Sequence, residues 1–343
     1  MNHETYLQID WEYSQENKIR VLRVYGSEPV LMLPGQIGDC PLTEIGAYCF
    51  AKNPHLPEQY HSTLLKRKET ETNTAWQVMG QGEENEKPPL RELGGGFLVE
   101  LTLPEQIEKI GNLAFYDCVK LQKLTIGKNM QQVGSDAFMN CHSLEWLVLR
   151  AGVREESGVR QILAQIPWDI EVTFQKDGQT EAVLFYPEYF ESYDEIAPAH
   201  IFGRNIEGEG FRARQSFLNG AVDFVQYDTI FPKACAEEND KTLQKIVADR
   251  LLYPVDLKEI ARGRYEAYFE KRKREIAQML TKKREMEQIR FFCVQKLFDE
   301  EAVGEAIAEA VKIEWTEGAA GLLSLKQELF ATKAKERYSF DDF

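Results

Sequence analysis

The sequence lacks any apolar run long enough to cross a membrane. Its unbroken apolar runs, such as 182–186, do not exceed five residues, whereas a membrane-spanning helix needs about 20. The N-terminus also lacks the basic patch and apolar segment of a secretory signal. We therefore expect a cytoplasmic protein that does not enter the membrane.

Positive charge and paired cysteines are also scarce. The 41 Lys and Arg residues face 56 Asp and Glu residues, which gives a formal net charge of −15. Such a charge repels nucleic acid and anionic membrane surfaces, so neither is expected as a partner. The six cysteines include no Cys-x-x-Cys pair, which favours free thiols in a reducing compartment.

The chain lacks the motifs of common catalytic sites. It contains no G-x-x-x-x-G-K-[ST], G-x-G-x-x-G, H-E-x-x-H or G-x-S-x-G. Of the five histidines, only His55 and His61 lie close in sequence, and two ligands without a third are a poor metal site. We therefore expect no catalytic residue, no cofactor and no metal.

One enzymatic alternative remains open. The aromatic-rich segment 186–231 brings four residues with useful chemistry close together in sequence. They are Tyr193, Asp194, His200 and Arg204. An unrecognised enzyme with its site in this segment is the lesser hypothesis.

What the sequence does contain is a repeat with a constant offset of 23 residues. The pattern Leu-x-x-Leu-x-Leu or Ile, followed by Gly-x-x-Ala-Phe-x-x-Cys, begins at Leu98 and again at Leu121. A third copy of its opening begins at Leu144. A period of about 20 to 29 residues with this core is typical of a leucine-rich repeat. The pattern therefore predicts a solenoid with one short strand per coil.

Alternation within each strand separates core from surface. Leu101 and Leu103 are expected to point inward, because side chains alternate between the two faces of a strand. The residues beside them face outward, onto the usual recognition surface of such solenoids. These candidates are Glu100, Thr102, Lys123, Thr125, Trp146 and Val148. Trp is common at interface hot spots, although the sequence favours burial of Trp146 against the domain that follows.

Glycine and cysteine also recur at fixed positions. Gly111 and Gly134 follow the second apolar rung, where a sharp backbone turn favours a residue without Cβ. Cys118 and Cys141 occupy equivalent rungs, where a disulfide is conceivable. Two buried thiols are the favoured interpretation.

A degenerate copy precedes the regular ones. Leu31 aligns with Leu101, and Ile45-Gly46 aligns with Ile110-Gly111. A polar insertion at 57–97 then interrupts the register, and we expect it to form a loop that is disordered over 66–87.

These motifs resemble the BspA-like (treponemal-type) leucine-rich repeat. Its units read as an apolar strand, Pro, an Ile-Gly-x-x-Ala-Phe turn and Cys-x-x-Leu, and the resemblance covers 18–150. The segment 19–46 looks like the N-terminal opening common in that family. Because many members are secreted or surface adhesins, the resemblance implies a second hypothesis, an exported or surface-associated binding module.

After residue 149 the repeat stops. A short helix at 159–166 and an alternating strand at 170–174 predict a cap over 150–176. Asp177-Gly178 predicts a turn, where we place the boundary between a leucine-rich repeat domain at 1–176 and an α-helical domain at 177–343. From 182 onward the spacing of apolar residues is interpreted as helical.

The C-terminal part contains a weaker repeat. Ile276, Leu280, Ile289 and Phe292 are followed 31 residues later by similar apolar residues. This predicts helical hairpins, of which 306–323 is similar to an ankyrin-type helix pair. The basic cluster at 271–274 and 282–284 has acidic neighbours at helical spacing, which predicts a solvated helix face.

Together these patterns predict an α+β chain with a short leucine-rich-repeat solenoid followed by an all-α helical repeat domain. The leading hypothesis is a non-catalytic scaffold that binds a protein partner through the solenoid sheet, the helical domain or both.

Overall fold

The computed structural model describes residues 5–52, 56–69, 74–80, 89–196 and 201–330. The chain divides into two compact units, Met1–Ile230 and Phe231–Phe343. The first contains a β-solenoid and the second is helical, which confirms the predicted mixed α+β class. Among the described residues, no helix has the length and apolar character needed to span a membrane.

Short strands dominate the first unit. They are β1 (Tyr6–Gln15), β2 (Lys18–Gly26), β3 (Val30–Met32), β4 (Gln36–Ile37), β5 (Cys40–Ile45), β6 (His61–Glu69), β7 (Thr74–Val78), β8 (Arg91–Glu92), β9 (Glu100–Thr102), β10 (Lys109–Ile110), β11 (Lys123–Gly127), β12 (Gln132–Val133), β13 (Trp146–Arg150), β14 (Ile170–Lys176), β15 (Gln179–Tyr186), β16 (Phe190–Ile196), β17 (Ile201–Glu207), β18 (Phe217–Leu218) and β19 (Ala221–Val222). Three short helices accompany them, α1 (Val159–Leu163), α2 (Gly210–Ala213) and α3 (Phe224–Thr229).

The repeat sets the register of two sheets. In the first, β3, β9, β11, β13 and β14 pair in parallel and β15 adds an antiparallel strand. In the second, β5, β10 and β12 pair in parallel. Leu101 pairs with Leu124, as the 23-residue offset requires. Leu31 pairs with Leu101 and Ile45 with Ile110, which confirms the alignment of the degenerate copy.

Side-chain ladders fill the solenoid. The rings of Phe50, Phe115 and Phe138 stack with centroids 5.0 and 5.1 Å apart and planes within 3° and 6° of parallel. Beside them, the Cys118 thiol donates to the Phe50 carbonyl over 3.3 Å and the Cys141 thiol to the Phe115 carbonyl over 3.0 Å. All six cysteines are free, so the two rungs are buried thiols, as favoured.

The recurring glycines serve close packing. Neither Gly111 nor Gly134 has a positive φ, so the predicted sharp turn is not the reason for them. A Cβ on Gly111 would lie 2.5 Å from the Ala47 nitrogen, and one on Gly134 would lie 2.4 Å from the Asn112 nitrogen. Glycine is required because the backbone of the preceding coil occupies the place of a side chain.

The polar insertion contains regular structure. β6 pairs antiparallel with β1 and β7 with β6, which extends the second sheet. Leu65 is buried, and the Trp11 indole donates to the Thr63 hydroxyl over 2.9 Å. The predicted disorder is therefore wrong for 66–69 and 74–78. Residues 70–73 and 81–87 of that prediction lie outside the described part of the chain.

A short helix and a strand follow the last coil, in the segment where the sequence predicts a cap. β14 pairs with β13, and α1 follows the last complete coil. The Val133 N–H donates to Gln161 Oε1 over 2.9 Å, and Gln161 Nε2 donates to the Gln131 carbonyl over 2.7 Å. The Gln161 amide thus satisfies the backbone groups that β12 would otherwise expose at the sheet edge.

The helical part begins later than predicted. Between 179 and 222 the chain forms the β14–β15 turn and two further hairpins, β16–β17 and β18–β19. In β15, Ala182, Leu184 and Tyr186 are buried, and Val183 on the other face is 7% exposed. A strand with two apolar faces lacks the alternation that distinguishes strand from helix. The boundary at 176/177 is therefore replaced by the division at 230/231.

The second unit consists of helices. They are α4 (Phe231–Glu237), α5 (Asp240–Leu252), α6 (Glu259–Lys282), α7 (Met286–Val294), α8 (Glu300–Lys312) and α9 (Thr316–Phe330). α6 is kinked at Arg272, where φ is −123° and ψ is 17°.

The turns between paired helices correct the period of the helical repeat. The Glu285 N–H donates to the Leu280 carbonyl over 3.0 Å, and the Trp315 N–H donates to the Ala310 carbonyl over 2.9 Å. Equivalent turns therefore lie 30 residues apart, one fewer than the sequence suggested. The sequence alone favours a period of 31 because apolar side chains at adjacent helix positions align almost equally well with either period.

The corrected register shows how the hairpins differ. α6 packs against α8, and α7 against α9. Three buried positions of the first hairpin correspond to partly or largely exposed positions of the second. The buried residues are Ala277, Thr281 and Cys293, and their equivalents are Ile307, Val311 and Leu323.

Candidate functional site

The predicted surface residues lie together on one face of the first sheet. Glu100 pairs with Lys123 and Lys123 with Trp146, which forms one row across β9, β11 and β13. Thr102, Thr125 and Val148 form the next row in the same way. The leucines between them are completely or almost completely buried on the opposite face.

Both rows continue onto β3, β14 and β15, strands that carry none of the six residues predicted from the sequence. Val30 and Met32 of β3 pair with Glu100 and Thr102. At the other end, the rows reach Glu171 and Thr173 of β14, and Phe185 of β15 pairs with Glu171. We call these side chains together the outer face. It comprises Val30, Met32, Glu100, Thr102, Lys123, Thr125, Trp146, Val148, Glu171, Thr173 and Phe185.

A signal for the missed residues was present in the sequence. Aligning Leu31 with Leu101 already places Val30 and Met32 beside the outward residues of the next coil. The alternation of inward and outward residues therefore holds for the degenerate copy as well as for the regular ones.

The outer face mixes exposed apolar groups with compensated charge. Val30 is 56% exposed, Met32 49% and Trp146 39%, so the favoured burial of Trp146 is wrong. Lys123 Nζ lies 3.7 Å from Glu100 Oε2, and both side chains are 43% exposed. An ion pair this exposed adds little stability, so its groups can exchange partners at little cost. The surface can therefore bury apolar area and form ion pairs with a second protein.

The three described residues of the enzymatic alternative do not converge on one site. Tyr193 pairs with Arg204 across the β16–β17 hairpin, and Arg204 Nε donates to Glu191 Oε1 over 2.6 Å. The hydrogen bonds from Arg204 and Tyr193 hold the pKa of the Glu191 carboxyl below its ordinary value. Asp194 lies on the opposite face, because adjacent strand residues alternate. His200 is outside the described residues.

Of the two histidines that lie close in sequence, the structure describes only His61. His61 stacks on Trp11 with ring centroids 4.6 Å apart, while His55 lies outside the described residues. Across the described ranges, no group of three or more His, Cys, Asp or Glu side chains is placed to hold a metal ion.

Known proteins resemble the repeat region. Residues 96–157 match the family model described as BspA type Leucine rich repeat region (6 copies). A crystal structure of a leucine rich cell surface protein from Faecalibacterium prausnitzii A2-165 is 19% identical over 50% of this chain and 38% of that chain, with a TM-score of 0.27. The leucine rich repeat protein TpLRR of T. pallidum is 14% identical over 49% of this chain and 78% of that chain, with a TM-score of 0.21.

This chain therefore spans well under half of the Faecalibacterium protein, 38% of its length. No curated protein matches it. The family model, the 23-residue register and the phenylalanine ladder agree on one assignment. Residues 96–157 are therefore a BspA-type leucine-rich repeat region.

Proposed function

We propose that this protein is a non-catalytic binding module that holds a protein partner on the outer face. The leucine-rich repeat family suggests a protein-interaction module and is typically non-enzymatic. The more specific proposal rests on the two rows of the outer face. One row contains Trp146 and ends at Val30, and the other contains Val148 and ends at Met32.

The outer face exposes apolar area at rigid positions. The strands that carry Trp146, Met32 and Val30 are fixed by the ladders beneath them, so a partner pays little entropy to order this surface. Aromatic residues and Met are enriched at interface cores, and a few such residues supply most of the binding energy. A net charge of −15 favours a protein partner over nucleic acid.

The test uses a photo-crosslinking amino acid at Thr125, in the middle of the outer face, in cells that naturally make the protein. The same amino acid at Met139, a 48% exposed position away from the outer face, provides the control. A partner captured from Thr125 and not from Met139 is then purified, and its affinity for the variants is measured.

We expect Trp146→Ala to weaken binding by about 30-fold or more, because hot-spot truncations cost roughly 2 kcal/mol or more. Met139→Ala should change the affinity by less than about twofold, as expected for a residue outside the interface. Equal affinities of the Trp146→Ala and wild-type proteins would refute the outer face as the binding surface.

We further propose that the protein functions in the cytoplasm. The free cysteines support this proposal, since disulfides form mainly in oxidising compartments. The alternative is an exported or surface-associated module, a hypothesis that the Faecalibacterium protein's description as a cell surface protein also motivates. Cell fractionation combined with thiol alkylation separates the two. Recovery outside the cytosol, or oxidised thiols, would contradict the cytoplasmic proposal.

A further inference from the structure

A cavity of about 570 Å³ lies between α4 and α6 of the helical unit. Phe231, Pro232 and Cys235 line it from α4, and residues of 264–272 line it from α6. Its volume falls within the range of about 300 to 1,000 Å³ typical of small-molecule sites. Nothing in the outer-face proposal uses this cavity.

The inner wall of the cavity is apolar and rigid. Phe231 is 3% exposed, and its ring packs against Tyr265 at 4.5 Å and edge-on against Tyr268 at 5.9 Å. Ala267 also lines the cavity, and its small side chain takes up little of the volume. An aromatic or other apolar group would find complementary surface here.

The rim is cationic. Arg264, Lys271 and Arg272 all line the cavity. Arg272 is paired, since its guanidinium lies 3.2 Å from Asp240 Oδ2 and 3.3 Å from Glu275 Oε1. Arg264 and Lys271 have no acidic partner within the described part of the chain.

The nearby acids on α6 are already engaged. Glu266 pairs with Arg262 at 3.6 Å, and Glu270 pairs with Lys273 at 2.7 Å. The sequence predicted that this basic cluster is a solvated face balanced by acidic neighbours. The balance holds for Lys273 and Arg272 but not for Lys271. Together with Arg264, which precedes the cluster, Lys271 leaves two positive charges at the cavity in a chain with a net charge of −15.

We propose that this cavity binds an organic anion in which a carboxylate is attached to an aromatic or similarly apolar group. The ring lies against Phe231 and Tyr268, and the carboxylate pairs with Arg264 and Lys271. These two residues are seven positions apart, or about 10 Å along the helix, and their long side chains can converge on one anionic group between them.

The site has a built-in reporter. Cys235 is exposed, unlike the other five cysteines, and it lines the cavity. Partial burial raises the pKa of its thiol, so a maleimide reacts with it measurably above neutral pH. A ligand in the cavity should slow this reaction, which separates binding here from binding elsewhere on the protein.

The test measures binding of the aromatic sulfonate 1-anilinonaphthalene-8-sulfonate to the full chain by fluorescence, together with its protection of Cys235 from maleimide. The charge-reversal variant is Arg264→Glu with Lys271→Glu. Its matched control is Lys258→Glu with Lys296→Glu, which makes the same charge change at two exposed residues outside the cavity. Circular dichroism verifies that every variant is folded.

We expect the wild type and the control to bind the probe equally within about twofold and the charge-reversal variant to bind at least about tenfold more weakly. Ala267→Trp, which fills the cavity while keeping its charges, should also abolish binding and leave Cys235 unprotected. If neither variant changes the affinity, or if saturating probe leaves Cys235 fully reactive in the wild type, the proposal is wrong.

Competition then distinguishes two sources of the same chemistry. Displacement of the probe by 1-naphthoate supports a free aromatic carboxylate as the ligand. Displacement only by the capped dipeptide N-acetyl-Asp-Phe-amide supports an acidic, aromatic segment of a protein. Failure of both to displace the probe overturns the assignment of the anion as a carboxylate.

Discussion

Replacing Gly134 by alanine tests the account of how the coils pack. The added Cβ would lie 2.4 Å from the Asn112 nitrogen, 2.5 Å from its side-chain oxygen and 2.5 Å from the Gly111 carbonyl carbon. Ordinary contacts of a Cβ begin near 3.4 Å, so the two coils must separate locally by about 1 Å. Two of these three neighbours are backbone atoms, so no rotamer change removes the clash.

The cost follows from what such a separation breaks. The Gly134 N–H donates to the Ile110 carbonyl over 2.8 Å, and the Ser135 N–H donates to Asn112 Oδ1 over 3.0 Å. Overpacking costs about 1–3 kcal/mol, and weakening these two bonds adds roughly 1 kcal/mol. We therefore expect Gly134→Ala to lower the free energy of unfolding by about 2–4 kcal/mol.

Chemical denaturation monitored by circular dichroism measures this change. Gly96→Ala is the matched control, because Gly96 has no positive φ and its Cβ would meet no atom within 4 Å. The control should leave the stability unchanged or raise it by up to about 1 kcal/mol. If Gly134→Ala is as stable as Gly96→Ala, close coil packing is not the reason for the recurring glycine.

Three further predictions concern the helical unit. Thr281→Asp should destabilise it by about 3 kcal/mol or more, because Thr281 is fully buried. Val311→Asp, at the equivalent position, should cost less than about 0.5 kcal/mol because Val311 is 65% exposed. Equal costs in urea denaturation would refute the 30-residue register. Gly304→Ala should raise the melting temperature, because nothing lies within 4 Å of the added Cβ and alanine favours a helix by about 1 kcal/mol; a lower melting temperature would contradict this. Burial raises the pKa of Asp299, but hydrogen bonds from Lys273 and the Ala302 N–H outweigh it and leave that pKa below its ordinary value. The carboxylate therefore stabilises the fold above about pH 4 and loses this effect as the pH falls further. Asp299→Asn should lose less stability than the wild type between pH 5 and pH 3. Urea unfolding midpoints of both proteins at the two pH values measure this difference.

The solenoid could be predicted because the sequence repeat also determines which residues of successive coils pack on each other. Each inward residue must lie over the equivalent residue of the next coil, so a constant offset in sequence becomes a register in space. Leu101 over Leu124 and Phe115 over Phe138 follow directly. The outer face follows from the same register, since an inward leucine fixes an outward neighbour on each side.

The remaining errors have separate physical causes. The strand ending at Tyr186 is apolar on both faces, so its period is ambiguous. β6 carries charged residues such as Lys66 and Arg67, which are partly exposed, and a polar composition of this kind does not distinguish an edge strand from disorder. The cavity beside Phe231 depends on how α4 packs against α6, and no spacing within either helix encodes that contact.

The architecture separates the residues that fold the solenoid from those available for binding. Period-two alternation places Leu124 in the core and its neighbours Lys123 and Thr125 outside, so the outward positions can change without disturbing a ladder. A substitution such as Trp146→Ala can therefore remove binding energy while the stacked leucines and phenylalanines preserve the strand positions. The same separation explains why the repeat identifies the fold so readily but does not identify the partner. The repeat pattern consists of buried residues, whereas the proposed binding surface consists of the exposed residues between them.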